Sequence, residues 1–320
     1  RKPGTNYKNF RAAMSAMDAL EDRKNPDRFN EKFTIPLLRS LDTADSLKAN
    51  LLRYSPDNHK SINSEQIAQW IHSKNTDLRS EAIWKSRFNK GEQIVNVLTK
   101  LALEKKAPNH DRLDAIAALG ALSPIEDATN LIKHISLEKN PLLHAEAQRS
   151  LGQRKTLVVT DFPSHNDTAS WLKKIEVLPG KANPDTGRRI FFNRKIATCG
   201  NCHQINDRGI RVGPDLTFIG RGMNKEKILE SILDPNKEVS PYLRPWVITM
   251  DDETVKTGIA MRRGGNSEAY LGVDGKEFRV DKRKIKTKQE LHTSLMPAGL
   301  AYTMSLEELR DLLAFLLQQR

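Results

Sequence analysis

Ala49, Ala82, Ala115 and Ala147 recur at separations of 33, 33 and 32 residues, each inside a similar helical phrase. The phrases run from Ser46 to Leu52, Arg79 to Trp84, Arg112 to Leu119 and His144 to Leu151. Between them lie three amphipathic stretches, Glu65 to Lys74, Glu92 to Lys105 and Ile125 to Ile135. Their apolar positions, such as Ile67 and Trp70, Ile94, Leu98 and Leu101, or Leu131 and Ile135, return at helical spacing. A helix pair cannot bury its apolar face alone, so pairs repeated at this period stack on their neighbours, and the first half is expected to be an α-solenoid. A small residue at the repeated site lets the helices approach closely. Ser123, Pro124 and Glu126 have the spacing of a capped helix start. Trp70 and Trp84, at helical spacing, are expected in the core rather than as electron relays.

A length of 320 residues suits two domains. The expected division is a helical repeat domain over 1–156, a joining segment over 157–184 and a second domain over 185–320. No run of eighteen apolar residues occurs, so no membrane span is expected. The start, Arg1-Lys2-Pro3-Gly4, lacks the apolar core of a signal peptide.

The chemistry concentrates at Cys199-Gly200-Asn201-Cys202-His203, which holds the only two cysteines of the chain. In C-x-x-C-H, two thiols and one imidazole serve a haem: the sulfurs form thioethers and the histidine binds the iron. A zinc ribbon needs a second cysteine pair and a thioredoxin a βαβ context, and the sequence has neither. The expectation is one haem c, covalently attached through Cys199 and Cys202, with His203 as a metal ligand. Such attachment takes place outside the cytoplasm, which implies a periplasmic or otherwise exported protein, as a mature product or a piece of a longer precursor. For the second iron position the candidates are Met296, Met304, Met223, Met250, Met261 and His292. Met296-Pro297 is preferred, because it sits in a loop before the last helix where proline stiffens the approach. Arg211 and Arg221, which follow the motif, are candidates for the haem propionates, set against an ordinary surface role.

A formal charge of +12 reads mainly as a solvated basic surface, and nucleic acid is not an expected partner of an exported haem protein. Two basic clusters flank segments expected to reach the haem. Arg188, Arg189, Arg194 and Lys195 precede the motif, and Arg279, Lys282, Arg283, Lys284, Lys286 and Lys288 precede Met296-Pro297. Such a field would steer an acidic redox partner at a rate that falls with salt.

Around the motif the sequence places helices beginning at Asp185, over Lys225 to Leu233 behind Asn224, and from Ser305 with a Glu308 capping box. Between the last two lie Trp246 to Met250, Val255 to Met261, Glu268 to Val273 and Glu277 to Val280, separated by turn residues such as Asp274-Gly275. They predict a small antiparallel sheet inserted at about 245–285. The chain as a whole is therefore expected to be mainly α.

The repeats resemble HEAT-type repeats. Residues 185 to 320 resemble a class I cytochrome c, and in particular the haem-binding domain at the end of large exported dehydrogenases of planctomycetes and verrucomicrobia. The likeness rests on Gly187 with Ile190-Phe191, the C-x-x-C-H motif, Gly213-Pro214-Asp215-Leu216, Ile232-Leu233-Asp234-Pro235, Ser294 to Leu300 and Asp311 to Leu316. It implies that the His203 ring donates to the carbonyl of Pro214 and that Met296 occupies the family's Met-Pro position. It further implies a mono-haem module that carries single electrons from a dehydrogenase partner or upstream domain to a respiratory acceptor, with no catalytic activity expected in this fragment. The alternatives are a haem-based catalytic or gas-sensing domain with a displaceable ligand, and a scaffold whose haem is structural.

Overall fold

The computed structural model describes residues 5–20, 29–122, 124–152 and 162–320. The chain divides into two compact units, Arg1–Gln153 and Arg154–Arg320.

In the first unit the described helices are α1 (Thr5–Leu20), α2 (Glu31–Arg39), α3 (Asp45–Tyr54), α4 (Ser64–Ile71), α5 (Thr76–Ser86), α6 (Glu92–Leu103), α7 (Asn109–Leu122), α8 (Glu126–Ile135) and α9 (Pro141–Leu151). They alternate between two layers. In one layer α3 packs on α5, α5 on α7 and α7 on α9; in the other α4 packs on α6 and α6 on α8; consecutive helices close each pair. The four recurring alanines are all buried at these joints, as are Trp70 and Trp84. Asparagines start four of the described helices: Asn63 completes a capping box on α4, and Asn30, Asn75 and Asn140 cap α2, α5 and α9. The capped start expected at Ser123 lies outside the described residues. Pro124 precedes α8, which begins at Glu126 behind Ile125 with no side-chain cap.

Charge is buried at the joints as well. Arg79 Nη2 lies 2.7 Å from Asp111, which is 1% exposed. Lys85, also buried, donates to Asp57 Oδ1 at 2.9 Å and to the Ser55 carbonyl at 2.5 Å. Each of these pairs joins neighbouring phrases of the period.

The second unit begins, in the described residues, with α10 (Thr168–Glu176), which Asp167 caps. It continues with α11 (Pro184–Phe191), the four-residue α12 (Ile219–Gly222), α13 (Lys225–Leu233) and, after five strands, α14 (Leu306–Leu317). The first and last of the expected haem-domain helices, α11 and α14, make the tightest pair. At their crossing Gly187 stands so close to the Asp311 carbonyl that a Cβ would overlap it. The Asn183 N–H donates to Asp311 Oδ1 at 2.8 Å beside the crossing. The segment 157–184 is more than a joint: α10 packs on α13 and α14. Trp171 is fully buried there, stacked on Phe162 at 5.2 Å and edge-on to Tyr302 at 5.5 Å. Residues 157–161 lie outside the description.

The strands β1 (Pro245–Met250), β2 (Val255–Gly264), β3 (Ser267–Gly272), β4 (Glu277–Asp281) and β5 (Ile285–Glu290) form one antiparallel sheet in the order β4-β3-β2-β1-β5. Alternation puts Ile248, Tyr270 and Val280 in a small core. The sheet curls, because Lys288 on β5 reaches Glu268 on β3 at 2.9 Å although two strands lie between them. The insertion thus extends to 290 and gains β5, whose sequence IKTKQE carries no alternation to betray it. The described residues are mainly α-helical with one small antiparallel sheet. Among them, no helix is long and apolar enough to cross a membrane.

Candidate functional site

The chain enters the Cys199 turn through Ala197 and Thr198, both in the left-handed region at φ 54° and 52°. Such a backbone costs a residue with a side chain about 1 kcal/mol or more, so surrounding contacts must hold it. Thr303 Oγ1 accepts the Ala197 N–H at 3.2 Å. Cys199 then caps a single 3-10 turn: its carbonyl accepts from Cys202 N at 3.1 Å and from His203 N at 2.8 Å. These bonds place two sulfurs and one imidazole on one short turn.

A loop over residues 208–214 wraps that turn. Ile210 N donates to the Gly200 carbonyl at 3.0 Å, while Val212 N and Gly213 N share the Cys202 carbonyl at 2.9 and 2.7 Å. Gly213 lies flat against the histidine, so that a Cβ there would come within 2.6 Å of His203 Cε1. His203 Nδ1 is 2.8 Å from the Pro214 carbonyl. A carbonyl oxygen only accepts, so Nδ1 carries the proton and Nε2 of the neutral ring keeps its lone pair. Burial lowers the pKa of His203, against a smaller upward pull from Pro214, which favours this neutral ring.

The thiols are free. Burial pushes Cys199 up to about 12 and raises Cys202 too. Both remain protonated at neutral pH and are poor nucleophiles, which argues against thiol–disulfide exchange.

The cofactor expectation is corrected here. Among the described residues no group of three or more His, Cys, Asp and Glu side chains stands together to hold a metal ion. The structure shows a C-x-x-C turn with two free thiols and one imidazole, and among the described residues no further ligand completes a metal-holding set. One haem c attached through Cys199 and Cys202 is therefore not carried forward.

The fold brings together Cys199, Cys202, His203 and the Pro214 backbone. Arg211 belongs to the 208–214 loop itself, and the other predicted residues have partners of their own. Met296 is half-buried in the loop before α14, with its N–H on Ser294 Oγ at 3.0 Å. Met304 is fully buried beside the α14 cap and Met250 packs on the sheet core, whereas Met261 and Met223 are exposed. Arg211 is exposed, and Arg221 lays its guanidinium over the Phe218 ring at 4.7 Å.

Both basic clusters have carboxylates set against part of their charge. Asp185 takes Arg188 at 2.9 Å and the buried Arg189 at 2.5 Å. Burial raises the Asp185 carboxyl, but the two guanidiniums outweigh it and hold it well below the ordinary carboxylate range. In the second cluster Arg279 meets Glu277, Arg283 meets Asp281, Lys286 meets Glu253 and Lys288 meets Glu268. Neighbours close in space but distant or alternating in sequence supply these carboxylates. Sequence reasoning also missed Gly213 as the surface against which the imidazole lies; its place directly before Pro214 was the available signal.

No family model matches the chain, and no curated protein matches it.

Proposed function

We propose that the chain is an exported electron-transfer module: a HEAT-like solenoid in the first unit and, in the second, a class I cytochrome c-type frame built around the Cys199–His203 turn. The donor is a dehydrogenase partner or upstream domain and the acceptor a respiratory protein. The observation that carries the reading is the His203 Nδ1 bond to the Pro214 carbonyl at 2.8 Å. It locks one tautomer and one ring orientation and leaves Nε2 as the unprotonated nitrogen, which is the arrangement the resemblance implies. The α11–α14 crossing at Gly187 and the two-layer stacking of α3 to α9 support the frame and the solenoid in turn.

Electron transfer without bond chemistry favours a site whose groups do not reorganise. The hydrogen bonds of the 208–214 loop fit that demand.

Voltammetry of the chain, produced by export, tests the reading together with its intact mass. A reversible couple following about 59 mV per tenfold concentration ratio, the one-electron value, and lost in His203→Ala, is the expected result. A slope of about 30 mV, the two-electron value, lost in Cys202→Ala, would replace the proposal by dithiol chemistry. Intact mass states whether the two sulfurs are thiols, a disulfide or bonded to another group.

A further inference from the structure

The tip of the β3–β4 hairpin rests on the loop that holds His203. Gly272 N donates to the Lys276 carbonyl at 2.8 Å and Gly275 N to the Gly272 carbonyl at 3.0 Å, which closes a tight turn with Gly275 at φ +77°. A Cβ on Gly275 would overlap Ile210 Cγ2 and lie 3.8 Å from Val212 Cγ2. Ile210 and Val212 are the residues whose N–H groups bind the carbonyls of Gly200 and Cys202 inside the C-x-x-C-H turn. The next residue, Gly213, covers the imidazole, and the Pro214 carbonyl accepts its Nδ1–H hydrogen bond. From hairpin tip to histidine the contacts run through one short loop.

We propose that the inserted sheet is a brace for the site, and that Gly275 is a positioning residue acting on His203 through Ile210 and Val212. The sheet can do this because it is itself rigid. Its core of Ile248, Tyr270 and Val280 is buried. Glu268, 3% exposed, ties β3 to β5 through Lys288 at 2.9 Å and takes the Tyr270 hydroxyl at 2.6 Å. A hairpin anchored in this way transmits force from its tip instead of bending away. The brace determines the length and direction of the Nδ1 bond to Pro214, and hence the electron density at Nε2. It rests on the proposed function only in its use: the geometry fixes the histidine whatever the turn carries.

The sheet contains its own control. Gly265, in the β2–β3 turn, has φ +61°, and a Cβ there meets nothing within 4 Å. Gly275→Ala and Gly265→Ala therefore impose the same kind of backbone strain, but only the first presses on the loop. In the full chain, ring-nitrogen NMR of His203 and amide exchange at Val212 and Gly213 read the effect. Gly275→Ala should move the His203 Nδ1 signal and speed exchange at both amides roughly tenfold, while Gly265→Ala leaves both unchanged. Gly275→Ala with Ile210→Ala, which vacates the overlapped space, should restore the Nδ1 signal. Should Gly275→Ala fail to fold, Ile210→Ala alone removes the seat without touching the hairpin and should speed the same amides. Equal responses to the two glycine variants, or an Nδ1 signal that ignores both Gly275→Ala and Ile210→Ala, would overturn the brace. Voltammetry on the same samples keeps the two ideas apart: a wild-type chain without a one-electron couple ends the electron-transfer reading, while the NMR result still decides the brace.

Discussion

The two units solve the problem of joining helices in opposite ways. In the first, the joints share one feature, a buried alanine at Ala49, Ala82, Ala115 or Ala147, and ion pairs such as Arg79–Asp111 and Lys85–Asp57 link one phrase to the next. In the second, each joint occurs once and depends on a single glycine, Gly187 at the α11–α14 crossing, Gly213 against His203, Gly275 against Ile210. Repetition spreads stability over many equivalent contacts, whereas singular joints concentrate it where the site is built. A defect in the first unit should stay local, and one in the second should reach the C-x-x-C-H turn.

The strongest way to break this contrast is Asp111→Ala, which removes the carboxylate from Arg79 and leaves its guanidinium with the Ser73 carbonyl. We expect a loss of about 3 kcal/mol in the urea transition of the first unit, with the His203 ring signals untouched. Disturbed ring signals would show that the units are not independent. Gly187→Ala comes next: overpacking against the Asp311 carbonyl should cost about 2 kcal/mol and, unlike Asp111→Ala, broaden the His203 signals. If the ring signals remain sharp, the singular joints are no more consequential than the repeated ones. The capping boxes provide a case where the units should agree. Asn63→Ala on α4 and Ser305→Ala on α14 each remove a cap of the same design and should each cost about 1 kcal/mol by thermal unfolding. The smallest effect concerns pH. Asp185 has a folded pKa below its unfolded one, so its contribution is complete above the ordinary aspartate value of about 4 and is lost as pH falls through the lower folded value. Asp185→Asn should flatten the acid side of the second unit's stability profile and leave the first unit's profile as it was.

The same contrast explains what could be read in the sequence. A joint used four times produces a period, and the alanines that revealed it are buried where expected. Caps are equally local: Asn224 accepts Lys227 N, and Ser305 exchanges bonds with Glu308, because a cap needs only residues three apart. Singular joints have no such signature. Nothing near Gly275 announces Ile210, whereas Asp185 stands three and four residues ahead of Arg188 and Arg189, at the spacing of a helical ion pair. β5 escaped because an edge strand is under selection to look unlike a strand, polar and lysine-rich along its open side. The Pro214 contact to His203 was reached only through the family resemblance. The haem expectation read the spacing of three residues, and that spacing by itself supplied no metal-holding set of His, Cys, Asp and Glu.

The alanine period has a consequence for how such a chain can change over generations. A duplication or deletion of one whole phrase of about 33 residues would keep the buried alanines at their spacing. The first unit is in effect a measuring tape marked at its alanines: it can be lengthened or cut at the marks, so the span available to whatever lies along it can evolve without redesign of the turn around His203.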